Sequence, residues 1–470
     1  MDGRRARRSP DDVLGFLGSD SRFLLTCIVV SGFAWTPIAL TGLCPAFIVK
    51  HGHNTSFLAV VDEFNLKNES AFLADGTTTA FMVGNMIGGI FITQIGDRYG
   101  RQPVFIACLM MMAFFGLLSA MAQDVYLLCI MRFIHGIFYT AAGLVGWVLG
   151  YENTPVSLRF FTSVYFGLTW VFGTCLLALV GYLTPNWRYL MVVISLPNFV
   201  TAIVAYMLVP ESLHFLVSSN KRRRVAKWLI KARKYDGDEL LGDLRAEDVV
   251  GNGPKKASKG FWELICEMFE HKKFLVYTAA MVYLWIVDTF IYFGLSFYAK
   301  DLAGSFYLNF VLMSLVEAPA YVFAPIMMNR HGRRLLVCFS HVIAGMSFLG
   351  IVFFDEALHL PFWLIGKFSI SCSFMSIYVY ASEIFPTDAR NKCIGFCETM
   401  SRIGGMLSPH LGSLAQITPS LPAITLSGIS VLGGVLTFLL PETLNTQLPA
   451  TISETTSRRR PLNDIEDSPF

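Results

Sequence analysis

Charge is what this chain is poorest in. Only 15% of its 470 residues are Asp, Glu, Lys or Arg, against about 25% in an average soluble domain. A chain that is 54% hydrophobic has too little polar surface to stay dispersed in water, so lipid must solvate most of it. Other absences narrow the field. There is no Walker A phosphate loop, no His-Glu-x-x-His and no Gly-x-Ser-x-Gly. The sequence signatures of nucleotide-driven pumps, zinc peptidases and serine hydrolases are therefore missing, and the chain reads as neither an enzyme nor a cofactor protein. The ten cysteines form no metal-ligand spacing, fall almost entirely in apolar segments, and read as small core hydrophobes. No cleavable leader is expected. Met1 to Arg8 carries four arginines, Asp11 and Asp12 follow, and the first apolar run, 23–49, is too long for a signal sequence.

What the chain has instead is long apolar runs. A helix needs about 20 apolar residues to cross the hydrocarbon. Twelve segments are expected to do so: 23–49, 77–95, 104–121, 126–151, 161–184, 188–209, 274–299, 305–328, 335–354, 360–382, 393–416 and 422–440. With the N-terminus placed in the cytoplasm, the outer loops hold only Lys50, Lys67, Arg188 and Lys300. The spans hold Arg132, Lys367 and Arg402, and the rest of the 37 Lys and Arg lie on the inner side. Basic residues concentrate on the cytoplasmic face of membrane proteins, so this asymmetry supports both the orientation and the number of spans. The two glycosylation sequons, at Asn54 and Asn68, both fall in the first outer loop.

The second half repeats the first. "DRYGRQPVF" from Asp97 is echoed by "NRHGRRLLV" from Asn329. Glu152 precedes Arg159 by the same interval that separates Glu383 from Arg390. Pro210-Glu211-Ser212 is matched by Pro441-Glu442-Thr443. All three pairs share one nearly constant offset, which argues for duplicated six-helix halves, the sequence sign of an alternating-access carrier with a solute site at the midplane. The expected fold is thus an all-α membrane protein with twelve transmembrane helices in two pseudo-symmetric six-helix bundles. Its parts are a cytoplasmic N-terminus (1–22), a first bundle (23–209), a cytoplasmic linker (210–273), a second bundle (274–440) and a cytoplasmic tail (441–470). Within the linker, Lys221-Arg222-Arg223-Arg224 reads as a positive-inside flank or as a contact for anionic lipid headgroups. Two copies of the loop motif at equivalent places favour a latch for a gate, carried by Asp97, Arg98, Arg101, Glu152 and Arg159 in one half and Arg333, Arg334, Glu383 and Arg390 in the other.

These loops resemble those of the major facilitator superfamily. Over about residues 11–450 the chain resembles solute carrier family 22, the organic cation, carnitine and organic anion transporters. The most specific pieces are "PESLHFLVSSNKRRRVAKWLIKARK" (210–234), "FYLNFVLMSLVEAPAYVFAP" (306–325), "GKFSISCSFMSIYVYASEIFPTDARN" (366–391) and "LPETLNTQLPATISE" (440–454). Three features depart from the family pattern. The first outer loop, Lys50 to Asp75, is short and lacks cysteine. Asn329 stands where Asp is usual, and Leu213-His214 replaces Pro-Arg.

Ionisable groups inside the bilayer are costly, roughly 2.5–3.5 kcal/mol each on insertion scales, and should face protein or water. The deep ones are Arg132, Asp288, Glu317, Lys367, Glu398 and Arg402. Arg402 lies near the middle of its span, with Glu398 one turn back. The two either pair with each other, or the guanidinium clamps a solute carboxylate with its planar fork. The resemblance implies the second role: the cation branch tends to have Asp at the position of Arg402, and the anion and carnitine branches Arg. It also implies pocket roles for Glu317, Tyr292 and Tyr321. Asp288 and Tyr292 share a helix face, and Trp147 is an aromatic candidate for a cation–π wall. Lys367 either lines the pocket or pairs with Asp288. Arg132 and His135 are one turn apart on span four, and a membrane histidine is either packed or a proton relay.

The expected function is secondary transport of a small organic ion across the plasma membrane, with a carnitine-like zwitterion or a carboxylate favoured. An organic cation transporter and a non-transporting receptor on a carrier fold are the alternatives. The presence of both sets of latch residues favours transport. The coupling ion, Na⁺ or H⁺, stays open, and no nucleic-acid partner is expected.

Overall fold

In a computed structural model, residues 9–49, 57–66, 71–236, 246–249, 270–299, 304–386, 389–446, 449 and 451–456 are described. Asn54, Asn68, Lys50, Lys67, Lys300 and Cys266 lie outside the described residues, as does the tail from 457. Contacts divide the described residues into two units, one up to residue 249 and one from residue 270.

The first unit begins with α1 (Pro10–Leu17), followed by α2 (Arg22–Phe33) and α3 (Trp35–Leu43). The expected first span is therefore one helical path broken at Ala34. Pro37 has no N–H to give to the carbonyl of residue 33, so the ladder is interrupted there. Then come α4 (Ala71–Tyr99), α5 (Arg101–Ser119), α6 (Val125–Glu152), α7 (Arg159–Leu183) and α8 (Trp187–Leu208). Helices α4 and α6 lie close together because glycines face backbone across their interface. A Cβ on Gly84 would meet the Phe133 carbonyl, and one on Gly88 the Ile137 carbonyl. Small residues four apart are the usual device for close helix contact in lipid.

The segment expected to be a linker is folded onto this unit. In α9 (Leu213–Ser218) and α10 (Arg222–Asp236) the apolar residues Val225, Trp228, Leu229 and Ala232 recur at one helical face. They pack with Val13, Leu14, Phe23, Leu24, Leu213 and Leu216 in one core. Arg222, Arg223 and Arg224 lie on the exposed side of α10.

The second unit contains α11 (Lys272–Tyr298), α12 (Phe306–Leu315), α13 (Glu317–His331), α14 (Arg333–Phe353), α15 (His359–Ile384), α16 (Arg390–Leu407) and α17 (Leu421–Thr437). Span eight is broken at Val316, where Pro319 withholds a hydrogen bond from residue 315. The break places Glu317 in the first turn of α13.

Among the described residues, ten helical paths are long and apolar enough to cross a membrane. The two remaining expected spans are helical too but fall short by that measure. Helix α16 carries Arg390, Lys392, Glu398 and Arg402 within 18 residues, and α17 has 17 residues. Large apolar side chains such as Phe72, Phe161, Leu183, Tyr206 and Phe353 stand more than half exposed. Patches of that kind are tolerable where lipid covers them.

Candidate functional site: paired charges in each bundle

In the first unit, α4 and α5 are joined by Gly100, whose φ of 126° suits glycine. With no side chain at that cap, the first N–H groups of α5 take an acceptor from elsewhere. Glu211 Oε1 accepts from the backbone N–H of Arg101 at 2.9 Å and of Gln102 at 3.1 Å. Arg101 pairs with Glu152 and, at 3.5 Å, with Asp97. The Ser212 hydroxyl donates to Glu152. Arg159 pairs with Asp11 at 2.5 Å, and His214 lies between Asp11 and the Glu152 carbonyl. The position that departs from the family pattern is thus built into this network. Arg98 lies over the ring of Tyr99.

The second unit repeats the glycine turn, the capping glutamate and the arginine–glutamate pair. Gly332 has a φ of 95°. Glu442 accepts from the N–H of Arg333 at 3.0 Å and of Arg334 at 3.2 Å. Arg333 pairs with Glu383 at 2.9 Å, and the Thr443 hydroxyl donates to Glu383 at 2.6 Å. Arg334 bonds the Phe438 carbonyl at 2.9 Å, and Arg390 Nε bonds the Phe385 carbonyl at 3.4 Å. The sequence pairing of "PES" with "PET" signalled duplication, and the structure adds that Glu211 and Glu442 cap helices while Ser212 and Thr443 donate to Glu152 and Glu383. Glu442→Ala is expected to destabilise the protein by about 1–2 kcal/mol, the usual loss for a helix N-cap. It should appear as a lowered unfolding midpoint in detergent. Glu442→Gln, which keeps an acceptor, should lose less.

The deep charges of the second unit sort into three groups. Lys367 Nζ lies 3.0 Å from Glu317 Oε1. It also donates to Ser296 Oγ at 3.0 Å and the Tyr292 carbonyl at 3.2 Å, and it sits 3.4 Å above the Tyr292 ring. The other Glu317 oxygen accepts from the hydroxyls of Tyr292 at 2.9 Å and Tyr321 at 3.0 Å. An ammonium has three donors, and all of these are used. The Lys367 and Glu317 side chains are 1% and 2% exposed. Of the two roles open for Lys367, pairing with Asp288 is corrected: its acid partner is Glu317.

Asp288 lies elsewhere on α11, bonded by the Ser373 hydroxyl at 2.9 Å with His341 at 3.5 Å. The third group is Arg402 with Glu398, whose Nη2–Oε1 distance is 2.8 Å across one helical turn. These side chains are 17% and 14% exposed, and Nη2 makes the one hydrogen bond of this guanidinium among the described residues. A Cβ on Gly404 would meet the Ile286 carbonyl of α11, so that glycine serves helix packing rather than ligand approach. Tyr378, which sequence reasoning passed over, interacts electrostatically with Glu398 and lies edge-on to Trp285 with ring centres 4.3 Å apart. Phe374 connects its ring to that of Tyr292. An aromatic ladder therefore runs beside Arg402.

In the first unit Trp147 packs against Trp35 and Phe166 at 5.9 and 5.3 Å. Arg132 is fully buried over the ring of Phe81 at 4.3 Å, with Nη1 3.5 Å from Cys44 Sγ. His135 lies edge-on to the same ring at 5.7 Å.

The profile of the Sugar (and other) transporter family matches residues 38–450. A Caenorhabditis elegans protein, named only provisionally as a transporter, is 60% identical over 460 residues, spanning 98% of this chain and 94% of that one. The organic cation transporter-like protein of Drosophila melanogaster is 30% identical over 415 residues, spanning 84% of this chain and 72% of its own. Among solved structures, the inward-open xylose transporter XylE from E. coli superposes with a TM-score of 0.73 at 19% identity, over 91% of this chain and 98% of that one. This last likeness concerns the fold.

Proposed function

Because this chain belongs to the Sugar (and other) transporter family, in the major facilitator superfamily and among the solute carrier family 22 proteins, we propose that it carries a small organic ion bearing a carboxylate, such as a carnitine-like zwitterion. It is a multi-pass membrane transporter, and its family and fold are those of transporters rather than enzymes. The observation that supports a carboxylate is the unequal use of the buried cations. Lys367 has every donor engaged, whereas Arg402 keeps donors beyond its one bond to Glu398 and is the more exposed of the two. A guanidinium so placed offers a planar fork to a carboxylate. Tyr378 and Phe374 supply aromatic faces nearby for an ammonium or an aromatic body.

The cycle we assign is alternating access, with the Arg101–Glu152 and Arg333–Glu383 latches forming and breaking on the cytoplasmic side of the plasma membrane. Both termini are cytoplasmic in this reading. A second reading, carriage of an organic cation, is favoured by the names of the relatives and by Glu398, which shares the partial exposure of Arg402.

Uptake of labelled carnitine, tetraethylammonium and benzoate by cells expressing the chain separates these readings. Carnitine or benzoate accumulation above the untransfected level supports the carboxylate reading, and accumulation of tetraethylammonium alone supports the cation reading. Saturable binding without accumulation of any of the three would leave a receptor and end the transport proposal.

A further inference from the structure

Asp288 is the one deep acid of the second unit without a lysine or arginine partner among the described residues. Its side chain and that of His341 are both 0% exposed. Oδ2 accepts from Ser373 Oγ at 2.9 Å, and Oδ1, 3.5 Å from His341 Nε2, has no hydrogen bond. Ser373 Oγ also lies 3.3 Å from His341 Nε2. The serine hydroxyl has a single proton, and it goes to Asp288. With Asp288 ionised, the imidazole is then the donor in the second contact, so Nε2 carries a proton and Nδ1 is left bare. Nδ1 is buried and without a partner.

The charge of this trio follows. With Asp288 ionised and His341 neutral it is −1. One proton on Asp288 Oδ1 brings it to zero and leaves no charged group in the trio. A buried charge without a counter-charge costs several kcal/mol on the usual scale, so the trio has a strong reason to hold that proton. Among the described residues no neighbour supplies the counter-charge instead. On α16 Arg402 is paired with Glu398, and on α15 Lys367 is paired with Glu317 and Glu383 with Arg333. Tyr378 interacts electrostatically with Glu398. Arg390 and Lys392 belong to the first turn of α16. His410, in the turn Ser408–His410, and Glu454, in Ile452–Thr456, are carried by short elements packed on α11. Helix α17, against which His341 packs, has no ionisable residue. A sodium ion would need a shell of oxygens, and here an imidazole occupies one side of a single carboxylate and a single hydroxyl.

We propose that Asp288, Ser373 and His341 form a proton-binding site, which this transporter loads and empties as it carries its solute. The coupling part rests on the carrier reading above, while the proton site stands on the trio itself. One proton from water binds the trio, taking it from −1 to zero, and one leaves to water on the other side of the cycle. Trp285, one turn before Asp288 on α11, and Thr289, next to it in the chain, also carry buried polar atoms without partners among the described residues, which fits a place where internal water is needed.

Infrared difference spectra of the purified full-length protein, recorded between mildly alkaline and mildly acidic buffer, test the site without any solute. The wild type is expected to gain a protonated-carboxyl band that Asp288→Asn removes, and His341→Gln should move the pH at which that band appears. Both variants keep side-chain size, and Asp288→Asn removes the charge, so both are expected to fold. A band that Asp288→Asn leaves in place, or the lack of any titrating band, overturns the site. Proteoliposomes enclosing a pH dye then test coupling with carnitine, tetraethylammonium and benzoate as probes. Proton movement evoked by a probe in the wild type and lost in Asp288→Asn supports coupling. Labelled probe entering without proton movement overturns it. Failure of all three probes to enter while the infrared band persists counts against the carrier reading and leaves the proton site supported.

Discussion

Lys367→Met alone is expected to destabilise the second bundle by about 3–5 kcal/mol, the range for breaking a buried ion pair from one side. The reason is what remains. Glu317 would keep the hydroxyls of Tyr292 and Tyr321 but lose the only cation beside it among the described residues, at 2% exposure. The double variant Lys367→Met with Glu317→Gln should recover most of the loss, because the amide still accepts from the two hydroxyls and no charge is left unmatched. Unfolding midpoints of the single and double variants in detergent, or the fraction running as a monodisperse peak after heating, measure this. If the two substitutions destabilise additively, Lys367 and Glu317 are not coupled, and the staple between α13 and α15 is wrong.

Arg402→Ala should reduce kcat/KM for carboxylate solutes by about 10–100-fold. A charge-assisted hydrogen bond contributes about 1.5–3 kcal/mol, and each 1.4 kcal/mol is tenfold. Arg402→Lys keeps the charge without the fork and should fall between. Tetraethylammonium uptake, if present, should rise or hold, since the alanine variant leaves Glu398 without its partner at 2.8 Å and free to meet a cation. Equal carboxylate uptake by wild type and Arg402→Ala would remove the clamp. The Lys367 prediction would survive that result, because it concerns stability and a different pair.

Much of the architecture was legible in the residues. Apolar runs of bilayer length, the one-sided basic residues and the repeated loop motifs are local patterns that need no tertiary information. The shortfalls have local causes as well. Prolines at 37 and 319 split two spans into shorter helices, and four charged residues keep α16 below the apolar measure. By composition the segment 210–273 reads as a cytoplasmic linker. Its apolar face has a partner only because α1 and α2 fold back to meet it.

The sequence by itself determined that this chain lives in lipid, that its helices come in two related sets, and which few ions lie deep within them. Composition and periodicity decide those matters, since a bilayer rejects uncompensated charge whatever the packing. Only the tertiary structure decided the partners. Lys367 could have met Asp288 or Glu317 as far as spacing along the chain goes, and nothing in the sequence joined His341 or Ser373 to Asp288. Ion pairing and proton binding depend on distances of a few ångströms between side chains far apart in the chain, and helix packing sets those distances.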